Sequence, residues 1–536
     1  MVLNNSYSLN RTEWEKAGYE LPRFNRDKVR ENTIKDPVWL HFGAGNIFRS
    51  FPAVLQQRLL DEGKSDRGII VCEGYDYEII DRIYKPHDNL SILVVLKPDG
   101  NMHKKLVASV VEALTADTDS PEDLQTLKET FKNPSLQMVS FTITEKGYGL
   151  TNAKGEFYDD VFCDLQSGPS NPKSFIGKLT ALCYERYKSG KYPIALVSMD
   201  NCSHNGTKLF KAVDTFAREW VQRGAVDKGF AEYIEDPGIV SFPWSMIDKI
   251  TPRPDSGVKD ILEKDGLLNC GIITTKKNTY IAPFVNAEEP QYLVIEDAFP
   301  NGRPPLEDAG VIFTDRDTVD KVEKMKVGTC LNPLHTTLAI FGCLLGYKTI
   351  YEQMHDEQLK ALVGKIGFDE GLPVVVNPGI INPKDFLKEV IEVRLPNPYV
   401  PDTPQRIATD TSQKLSVRFG ETIKAYVKRS DLNPADLVYI PLVFAGWIRY
   451  LLAVDDFGKT FVPSPDPMMD HLKKIVKGIS LGDGGPFDDK LKPILTDETI
   501  FGVNLIDTGL AGKVLDFFKE FVRGKGAVRE TLKKYL

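Results

Sequence analysis

The chain has 536 residues, with 67 lysines and arginines against 75 aspartates and glutamates, so its formal net charge is −8. A content of 42% hydrophobic and 26% charged residues is typical of a globular protein and excludes a disordered or fibrous chain. The length accommodates two large domains or a few ordinary ones. The mildly acidic balance does not favour nucleic acid or an anionic membrane as a partner, although it permits an anionic small molecule.

Several features of the chain predict a soluble, cytoplasmic protein. The seven cysteines are odd in number and show no C-x-x-C spacing, which disfavours a disulfide framework or a structural zinc site. The histidines form no H-x-x-x-H pair, so no metal is expected. The first residues lack the apolar core of a secretory signal. The most apolar stretch, Tyr439 to Val454, is too short to span a bilayer.

In the first half of the chain, buried β-branched runs alternate with amphipathic helical segments. The predicted strands are Val38–Phe42, Gly68–Cys72, Ser91–Leu96, Met138–Thr144 and Ile194–Ser198. Helices are predicted between them, for example at Phe51–Asp61 and Pro121–Phe131. Buried strands that alternate with helices form βαβ units on a largely parallel sheet. The pattern therefore predicts a doubly wound α/β domain.

The Pro/Gly-rich segment Phe299–Pro305 ends this pattern, and we predict domains of residues 1–300 and 301–536. Beyond it, helical periodicity dominates and strand-like runs are few. The predicted helices are Val319–Lys326, His335–Leu345, Tyr351–Ile366, Asp385–Glu392, Gln413–Lys428, Val438–Ala453 and Gly512–Arg523. The second domain is therefore expected to be mostly α-helical.

A pair of glycines, Gly43 and Gly45, closes the first predicted strand and opens a predicted helix. Glycines at this position let the backbone approach a pyrophosphate, whose charge the N-terminus of the helix stabilises. Phe48 stands where the third glycine of a G-x-G-x-x-G motif is usual. The motif therefore indicates a dinucleotide site, with a simple tight turn as the alternative.

Glu73 ends the second predicted strand, somewhat beyond the usual spacing of about 20 residues from the glycines. A carboxylate there can accept hydrogen bonds from both ribose hydroxyls of NAD, and it would repel the 2′-phosphate of NADP. Asp76 is the competing candidate. A solvated acidic turn would explain either residue.

A second group of polar residues, within Glu323–His335, opens the helical half. Partial burial of Lys326 would lower its pKa and make it a general base near neutral pH. Asn332 and His335 could then polarise an alcohol or carbonyl oxygen. The alternative is a surface lysine followed by a helix start at Asn332 and Pro333.

Several sequence blocks, in this order, resemble the mannitol dehydrogenase family of polyol-specific long-chain dehydrogenases. Besides the glycine turn and the Lys…Asn-x-x-His signature, the blocks are Ile143–Tyr148, Met199–Gly206, Phe242–Pro252, Val294–Pro304 and Asp402–Phe419. The resemblance implies an N-terminal Rossmann-type domain, a C-terminal helical domain, and NAD-dependent chemistry without a metal. It also implies that the substrate is a small sugar acid or polyol, and it leaves the oligomeric state open.

The resemblance further implies a role for each residue of the site. Lys326 would be the general base that removes the hydroxyl proton, and Glu323 would help this proton to reach solvent. Asn332 and Asn201 would stabilise the developing alkoxide, and His335 would orient the reacting hydroxyl. The substrate contacts would be Asp248, Arg406 and Lys414. The cofactor contacts would be Gly43, Gly45, Asn46, Ile47, Phe48, Arg49, Glu73, Thr144 and Glu145.

The spacing between Lys326 and Asn332 departs from the family pattern. Five residues, Val327 to Leu331, separate the two, where most family members have four. One extra residue turns a helix by about 100°, so we expect a local bulge that keeps both side chains on one substrate. Lys324 is the weaker alternative for the family lysine.

The version of the signature in this chain is closer to the uronate reductases of the family than to its mannitol enzymes. We therefore expect NAD-dependent interconversion of D-mannonate and D-fructuronate. The nearest alternatives are reduction of tagaturonate and oxidation of mannitol at its second carbon. An alternative of another class is a dinucleotide-binding regulator that has lost the reaction.

Overall fold

The polypeptide divides between residues 319 and 320 into two units, Met1–Val319 and Asp320–Leu536. The computed structural model describes residues 1–97, 99–152, 154–399 and 402–536. The first unit is built on parallel sheet and the second on helices, which confirms the predicted fold class. The predicted division after residue 300 falls inside the first unit, because the strand Ile312–Thr314 pairs with the strand Tyr292–Glu296.

Within the described residues, the strands lie in the first unit. In chain order they are β1 (Tyr19–Glu20), β2 (Trp39–Phe42), β3 (Ile69–Glu73), β4 (Ser91–Leu96), β5 (Met102–Val107), β6 (Val110–Thr115), β7 (Met138–Phe141), β8 (Ile194–Ser198), β9 (Val240–Ser241), β10 (Ser245–Asp248), β11 (Ile273–Thr274), β12 (Tyr280–Ile281), β13 (Phe284–Glu288), β14 (Tyr292–Glu296) and β15 (Ile312–Thr314).

A six-stranded parallel sheet, in the order β6-β3-β2-β7-β8-β9, forms the centre of this unit. The chain runs outward from β2 to β3 and β6, then returns to place β7 against the other side of β2. The strand order therefore reverses between β2 and β7. Ligands of doubly wound sheets bind at the carboxyl ends of the strands at such a reversal.

Residues on the central strands alternate between two apolar cores, because successive side chains of a strand point to opposite faces. Leu40 and Phe42 of β2 join the core on one face, together with Phe131 and Trp220 of the covering helices. Trp39 joins the core on the other face. Burial on both faces explains why these strands appear in the sequence as continuous apolar runs.

Three smaller sheets complete the first unit. Strands β1, β5, β4 and β13 form a mixed four-stranded sheet, and β10, β14 and β15 form a three-stranded one. Strands β11 and β12 form an antiparallel pair. The predicted strand at residues 91–96 therefore exists but belongs to a smaller sheet, not to the parallel one.

The first unit also contains helices, several of which pack on the central sheet. They are α1 (Arg11–Lys16), α2 (Arg26–Lys35), α3 (Asn46–Ser50), α4 (Pro52–Asp61), α5 (Pro121–Lys132), α6 (Asp159–Ser167), α7 (Phe175–Gly190), α8 (Asn205–Gln222), α9 (Gly229–Glu235) and α10 (Ser256–Lys264). The next helix, α11 (Arg316–Met325), contains the division between the units.

The second unit consists of further helices. They are α12 (Asn332–Leu345), α13 (Ile350–Met354), α14 (Glu357–Gly364), α15 (Pro383–Glu389), α16 (Pro404–Ile407), α17 (Glu421–Lys428), α18 (Tyr439–Tyr450), α19 (Met469–Val476), α20 (Asp488–Leu495), α21 (Glu498–Phe501), α22 (Ala511–Phe521) and α23 (Ala527–Tyr535). Helices α12 and α18 are buried along nearly their whole length and pack against each other, so they form the core of this unit.

Tighter and wider helical turns connect these elements. The π-helical turns are Ile80–Tyr84, Lys326–Cys330, Lys365–Gly371, Val390–Arg394 and Ser416–Gly420. The 3-10 turns are Asn5–Ser8, Lys85–His87, Glu145–Tyr148, Leu306–Ala309, Leu372–Val374, Thr411–Gln413 and Pro434–Asp436.

Two predicted elements differ from the structure for local reasons. The predicted helix 351–366 is interrupted, because the Asp356 carboxylate accepts hydrogen bonds from the Gln358 and Leu359 N–H groups and caps a new helix. The predicted strand 138–144 ends at Phe141. It cannot extend to Thr144, because this residue has a φ of 66° and strand residues have a negative φ.

The segment Arg316–Leu345 is, by length and composition, apolar enough to cross a membrane. Within its most apolar window, however, 78% is buried inside the protein. Core helices of globular proteins have the same composition, so this segment is weak evidence for a membrane span.

Candidate active site

The glycine turn lies at the strand reversal of the first unit. Gly43 has a φ of +107°, and a Cβ atom there would stand 2.2 Å from the Thr142 carbonyl oxygen. Position 43 therefore requires glycine, both for its conformation and for the close approach of the segment after β7. A Cβ on Gly45 would meet nothing within 4 Å, so the space in front of this residue is open.

Helix α3 starts directly after the turn. The backbone N–H groups of its first residues, Asn46, Ile47 and Phe48, have no acceptor within the helix and suit an anionic ligand. The Phe48 side chain is fully buried and stacks on the His41 ring, with 4.2 Å between ring centroids. Any cofactor contact of Phe48 therefore falls to its backbone.

Arg49 holds the turn from inside the protein. Its guanidinium is 1% exposed and donates to the Ala282 carbonyl at 2.6 Å and to Asn46 Oδ1 at 2.9 Å. Its backbone N–H donates to the Gly45 carbonyl. The structure therefore places Arg49 as an anchor of the turn and not on its ligand-facing surface, because the side chain is directed into the core.

Glu73, at the end of β3, also fixes the turn. Its carboxylate accepts hydrogen bonds from the Ala44 N–H at 2.9 Å and from the Gly74 and Tyr75 N–H groups. Burial raises the pKa of Glu73, and these backbone donors act in the opposite direction. The alternative residue, Asp76, accepts from the hydroxyls of Thr275 and Thr279 near the β11–β12 pair. The role of Glu73 toward a ribose stays a prediction.

His41, before the turn, belongs to a chain of buried hydrogen bonds. Its Nδ1 lies 2.6 Å from Ser140 Oγ, and its Nε2 lies 2.9 Å from Thr142 Oγ1. Burial lowers the pKa of His41 to about 3, so the ring is neutral at physiological pH. The Thr142 hydroxyl in turn donates to the Gly43 carbonyl. This network ties β2 to β7 beneath the turn.

The loop after β7 carries Thr144 and Glu145. Thr144 has φ 66° and ψ 160°, a region that residues other than glycine avoid at a cost of about 1–3 kcal/mol. Asp200 accepts hydrogen bonds from the Thr144 N–H at 2.8 Å and from the Ile143 N–H at 3.0 Å. Glu145 is exposed and forms an ion pair with Lys208.

The predicted residues Asn201 and Asp248 follow two further strands. Asn201 is exposed in the loop after β8, directly next to the buried Asp200. Asp248 ends β10 and is buried. His204, in the same loop, stacks on the Trp244 ring, with 4.2 Å between ring centroids.

Lys326 opens a π-helical turn that joins α11 to α12. The Leu331 N–H donates to the Lys326 carbonyl at 3.1 Å, five residues back, as a π-helix requires. The bulge predicted from the five-residue spacing is thus present. The Lys326 side chain is 2% exposed, whereas Lys324 is largely exposed and forms an ion pair with Asp320. Lys326 is therefore the buried lysine of the two.

Asn332 and His335 lie half-buried in the first turn of α12. Burial lowers the pKa of His335 to about 4. The nearby guanidinium groups of Arg418 and Arg406 also lower this pKa, whereas the Asp402 carboxylate raises it. The imidazole is therefore neutral at physiological pH, so one ring nitrogen can donate a hydrogen bond and the other can accept one. Glu323 lies half-buried on α11.

Arg406 and Lys414 are both hydrogen-bonded within the segment that starts at Asp402. Arg406 is 73% exposed and binds the Asp402 carboxylate with two nitrogens, Nε at 2.6 Å from Oδ1. Lys414 is half-buried and donates to the carbonyls of Ile407 and Thr409. Burial lowers the pKa of Lys414. Both cations thus have protein partners, and their contact with substrate stays a prediction.

Arg418 is a functional candidate that the sequence reasoning missed. Its Nη1 donates to Thr336 Oγ1 at 2.5 Å and to the Asn332 carbonyl at 3.5 Å, which places a cation beside the predicted catalytic residues. Burial lowers the pKa of Arg418 to about 10. It stands one helical turn after Lys414, and this spacing was the available signal.

Among the described residues, no group of three or more histidines, cysteines, aspartates or glutamates is arranged to hold a metal ion. Cys330, next to the predicted site, is buried with its Sγ 3.7 Å from the Pro383 carbonyl. Burial raises the pKa of this thiol to about 12, which agrees with a packing role. All seven cysteines carry free thiols.

A glycine turn at the reversal of a parallel sheet, combined with a helical second unit that buries a lysine, defines a Rossmann-type dehydrogenase architecture. Residues 38–308 match the family model described as the mannitol dehydrogenase Rossmann domain, and residues 318–518 match that of the mannitol dehydrogenase C-terminal domain. The chain therefore belongs to the mannitol dehydrogenase family, which confirms the resemblance.

Individual relatives agree with this family. The D-mannonate oxidoreductase of Thermotoga maritima is 55% identical over 536 residues, which is 100% of this chain and 99% of that protein. A mannitol dehydrogenase of Saccharomyces cerevisiae is 30% identical over 85% of each chain.

Solved structures share the fold over the whole chain. A substrate-free D-sorbitol dehydrogenase superposes with a TM-score of 0.80 at 25% identity, covering 98% of this chain and 99% of the other. The Pseudomonas fluorescens mannitol 2-dehydrogenase, in a ternary complex with NAD and D-mannitol, has a TM-score of 0.70 at 25% identity, covering 100% and 99%.

Proposed function

We propose that this protein is an NAD-dependent oxidoreductase that interconverts D-mannonate and D-fructuronate. The observation that carries the proposal is the 55% identity, over essentially the full length of both chains, with the D-mannonate oxidoreductase of Thermotoga maritima. NAD as the cofactor is supported by the shared fold of the Pseudomonas enzyme, which binds it, and by the open space before Gly45.

In this proposal Lys326 is the general acid and base. It takes the proton of the substrate hydroxyl when the alcohol is oxidised, and it returns this proton when the ketone is reduced. NAD, when bound, would accept the hydride, so that oxidation removes a hydride from the carbon and a proton from the oxygen. The burial of Lys326 supports this role, because it keeps the amine out of contact with bulk water.

Three neutral side chains serve the reacting oxygen. Asn332 and Asn201 donate amide hydrogens to the oxygen as negative charge develops on it, which lowers the energy of the transition state. His335 orients the hydroxyl, and its low pKa supports this role because the ring remains neutral. Glu323, on the same helical segment as Lys326, relays the released proton to solvent.

The carboxylate of the sugar acid requires a cation, and an arginine binds it best through two parallel hydrogen bonds. We assign this contact to Arg406 and Lys414. Because Arg406 is paired with Asp402 and exposed, substrate binding would exchange one carboxylate partner for another. Asp248 accepts a hydrogen bond from a substrate hydroxyl. We place the reaction in the cytoplasm, which the free thiols support.

The proposal is tested by a substrate panel with purified protein. D-fructuronate, D-tagaturonate and D-fructose are each offered with NADH and with NADPH, and nicotinamide oxidation is followed. We expect D-fructuronate with NADH to give the highest kcat/KM, about 100-fold above D-fructose, because fructose lacks the carboxylate. A Lys326→Ala preparation measures any contaminating activity.

Each other outcome of this panel contradicts the proposal in a defined way. A preference for D-tagaturonate or D-fructose would assign the protein to another substrate of the family. Measurable NADH binding without oxidation of NADH by any of the three would favour a dinucleotide-binding regulator.

A further inference from the structure

We propose that Asp200 is a positioning residue for hydride transfer. It holds the backbone of Ile143 and Thr144, in the loop after β7, and thereby fixes the position of this loop relative to Asn201. This inference rests on the proposed function, because it concerns the same reaction. It adds a residue to the site that lies directly before Asn201 in the chain. Asp200 does not touch the reacting atoms in this proposal.

The Asp200 carboxylate is built into the loop after β7. Its Oδ1 accepts the Thr144 N–H at 2.8 Å, and its Oδ2 accepts the Ile143 N–H at 3.0 Å. The Tyr148 hydroxyl donates to Oδ2 at 2.5 Å. The carboxylate of this buried residue therefore accepts hydrogen bonds from two successive peptide groups and from Tyr148, which ends the same loop.

The loop conformation needs such a partner. Thr144 combines φ 66° with ψ 160°, and its β-branched side chain makes this region especially unfavourable. Relaxation of Thr144 to a negative φ would rotate the peptide between residues 143 and 144. This rotation would turn its N–H away from Oδ1, so the hydrogen bonds to Asp200 oppose the relaxation.

The backbone of Asp200 is itself fixed to the sheet. The Asn205 side chain donates to the carbonyls of Asp200 at 3.0 Å, Ser198 at 3.2 Å and Ser245 at 3.0 Å. Ser198 pairs in register with Phe141 of β7. The Asp200 carboxylate therefore holds the strained loop at Thr144 in a fixed position relative to the end of β8.

The same loop reaches the glycine turn. Thr142 stands so close to Gly43 that a Cβ atom there would clash with its carbonyl oxygen. Asp200 thus lies in a continuous path of contacts from the turn, through residues 142–144, to Asn201. Loss of the carboxylate is expected to displace groups on both sides of the reaction, the cofactor side and the alkoxide side.

The test compares Asp200→Asn with Asp164→Asn. The amide keeps the shape of the carboxylate but offers one acceptor oxygen where two are needed, so one loop N–H loses its acceptor. Asp164 is the matched control, because it is 2% exposed in the same unit and its two oxygens also accept backbone N–H groups, from Lys173 and Ser174.

We expect Asp200→Asn to lower kcat about 100-fold, since small displacements of reacting groups have effects of this size. The deuterium isotope effect on kcat should rise, because hydride transfer becomes slower. Asp164→Asn should lower the melting temperature but leave kcat within about twofold of wild type, since it touches none of the site. An Asp200→Asn variant with the kcat and isotope effect of wild type would overturn the proposal.

A double-mutant cycle with Thr144→Gly separates positioning from general destabilisation. Glycine adopts the conformation of residue 144 without strain, so the loop depends less on Asp200. The loss of kcat caused by Asp200→Asn should therefore be several-fold smaller when residue 144 is glycine. An equal loss in both backgrounds would contradict the inference. If Asp200→Asn alone does not fold, kcat is compared between the double variant and Thr144→Gly.

Tyr148→Phe provides the remaining control. It removes the hydroxyl from Oδ2 but keeps both peptide hydrogen bonds, and we expect kcat within about threefold of wild type. A loss as large as that of Asp200→Asn would transfer the role to Tyr148. Failure of the proposed function is visible in the wild-type protein, whereas failure of this inference is visible only in the ratios between variants.

Discussion

Gly43 and Gly45 lie in one turn, yet their surroundings impose different demands. Gly43 combines a positive φ with contact to the Thr142 backbone, so its reason for being glycine lies within the protein. Gly45 has a φ of −77° and open space in front of it, so nothing within the protein requires glycine there. In the proposed function, the requirement at position 45 comes from the ligand.

Alanine substitutions distinguish these two reasons. Gly43→Ala should lower the free energy of unfolding by about 2 kcal/mol or more, because its Cβ clashes with a carbonyl oxygen and its φ is unfavourable. Gly45→Ala should change this free energy by less than about 1 kcal/mol. It should nevertheless weaken NADH binding about tenfold or more, because the methyl group occupies the approach of the pyrophosphate.

Urea unfolding and NADH fluorescence titration measure the two quantities separately. A Gly45→Ala variant that binds NADH as tightly as wild type would place the cofactor elsewhere. Unchanged stability in Gly43→Ala would show that the close contact with Thr142 is absent.

Residue types were predictable at the site, but the partners of several residues were not. Lys326, Asn332 and His335 follow from a local signature, and two features of the structure, the burial of Lys326 and the neutral His335, agree with it. Glu73 was predicted from its place at the end of a strand, but its hydrogen bond to the glycine turn depends on how two distant strands align. Arg418 was missed because its closeness to Asn332 arises only after the helices pack.

At the level of elements, the π-helical turn at Lys326–Cys330 resolves the unusual spacing of the signature. An inserted residue normally rotates everything after it by about 100° around the helix axis. A π-turn accommodates the insertion locally, so the helices before and after it keep their orientation. We therefore expect the side chains of Lys326 and Asn332 to reach the same substrate despite the extra residue.

Changing the length of this turn tests that account. Deletion of Gly328 should restore the four-residue spacing of the signature and keep kcat within about tenfold of wild type, a difference of ~1.4 kcal/mol. Insertion of an alanine after Gly328 adds a second extra residue, and we expect kcat to fall more than about 100-fold because the reacting groups are displaced. Circular dichroism confirms that both variants remain folded.

The opposite pattern would contradict this account. If the deletion abolished turnover while the insertion was tolerated, the π-turn itself, and not the orientation that it preserves, would be what the reaction needs.

Elements were predictable in proportion to their own apolar content. Strands β2, β3 and β8 and the buried helices α12 and α18 appear in the sequence because their burial depends on long apolar runs. The short strands β9 to β12 were missed, because two to four residues carry too little pattern and their partners stabilise them. Capping by Asp356 interrupted a helix whose periodicity continues across it.

For the whole molecule, the fold class and the family follow from the order of the sequence blocks, and the family models cover the same two parts of the chain. The position of the division was less predictable. A Pro/Gly-rich segment indicates a break in the pattern, but β15 returns the chain to the first unit after that segment. The unit to which a short strand belongs depends on the strand it pairs with, and the local sequence does not indicate that partner.

In the proposed function, the two units have different tasks. The glycine turn, Glu73 and the strained loop at Thr144 belong to the first unit, and in the proposed function they would serve the cofactor. Lys326 and His335 belong to the second unit, and in the proposed function they would act on the reacting hydroxyl. Substitution of the general base should therefore remove turnover and spare cofactor binding.

The most direct test of this central claim is to measure kcat and NADH affinity in Lys326→Ala, with Lys324→Ala as the matched control. Lys324 is exposed and ion-paired, so its loss should leave both quantities within about twofold of wild type. For Lys326→Ala we predict a fall in kcat of about 1,000-fold, with the NADH dissociation constant within about threefold of wild type. Turnover within about tenfold of wild type would contradict the assignment of Lys326 as the general acid and base.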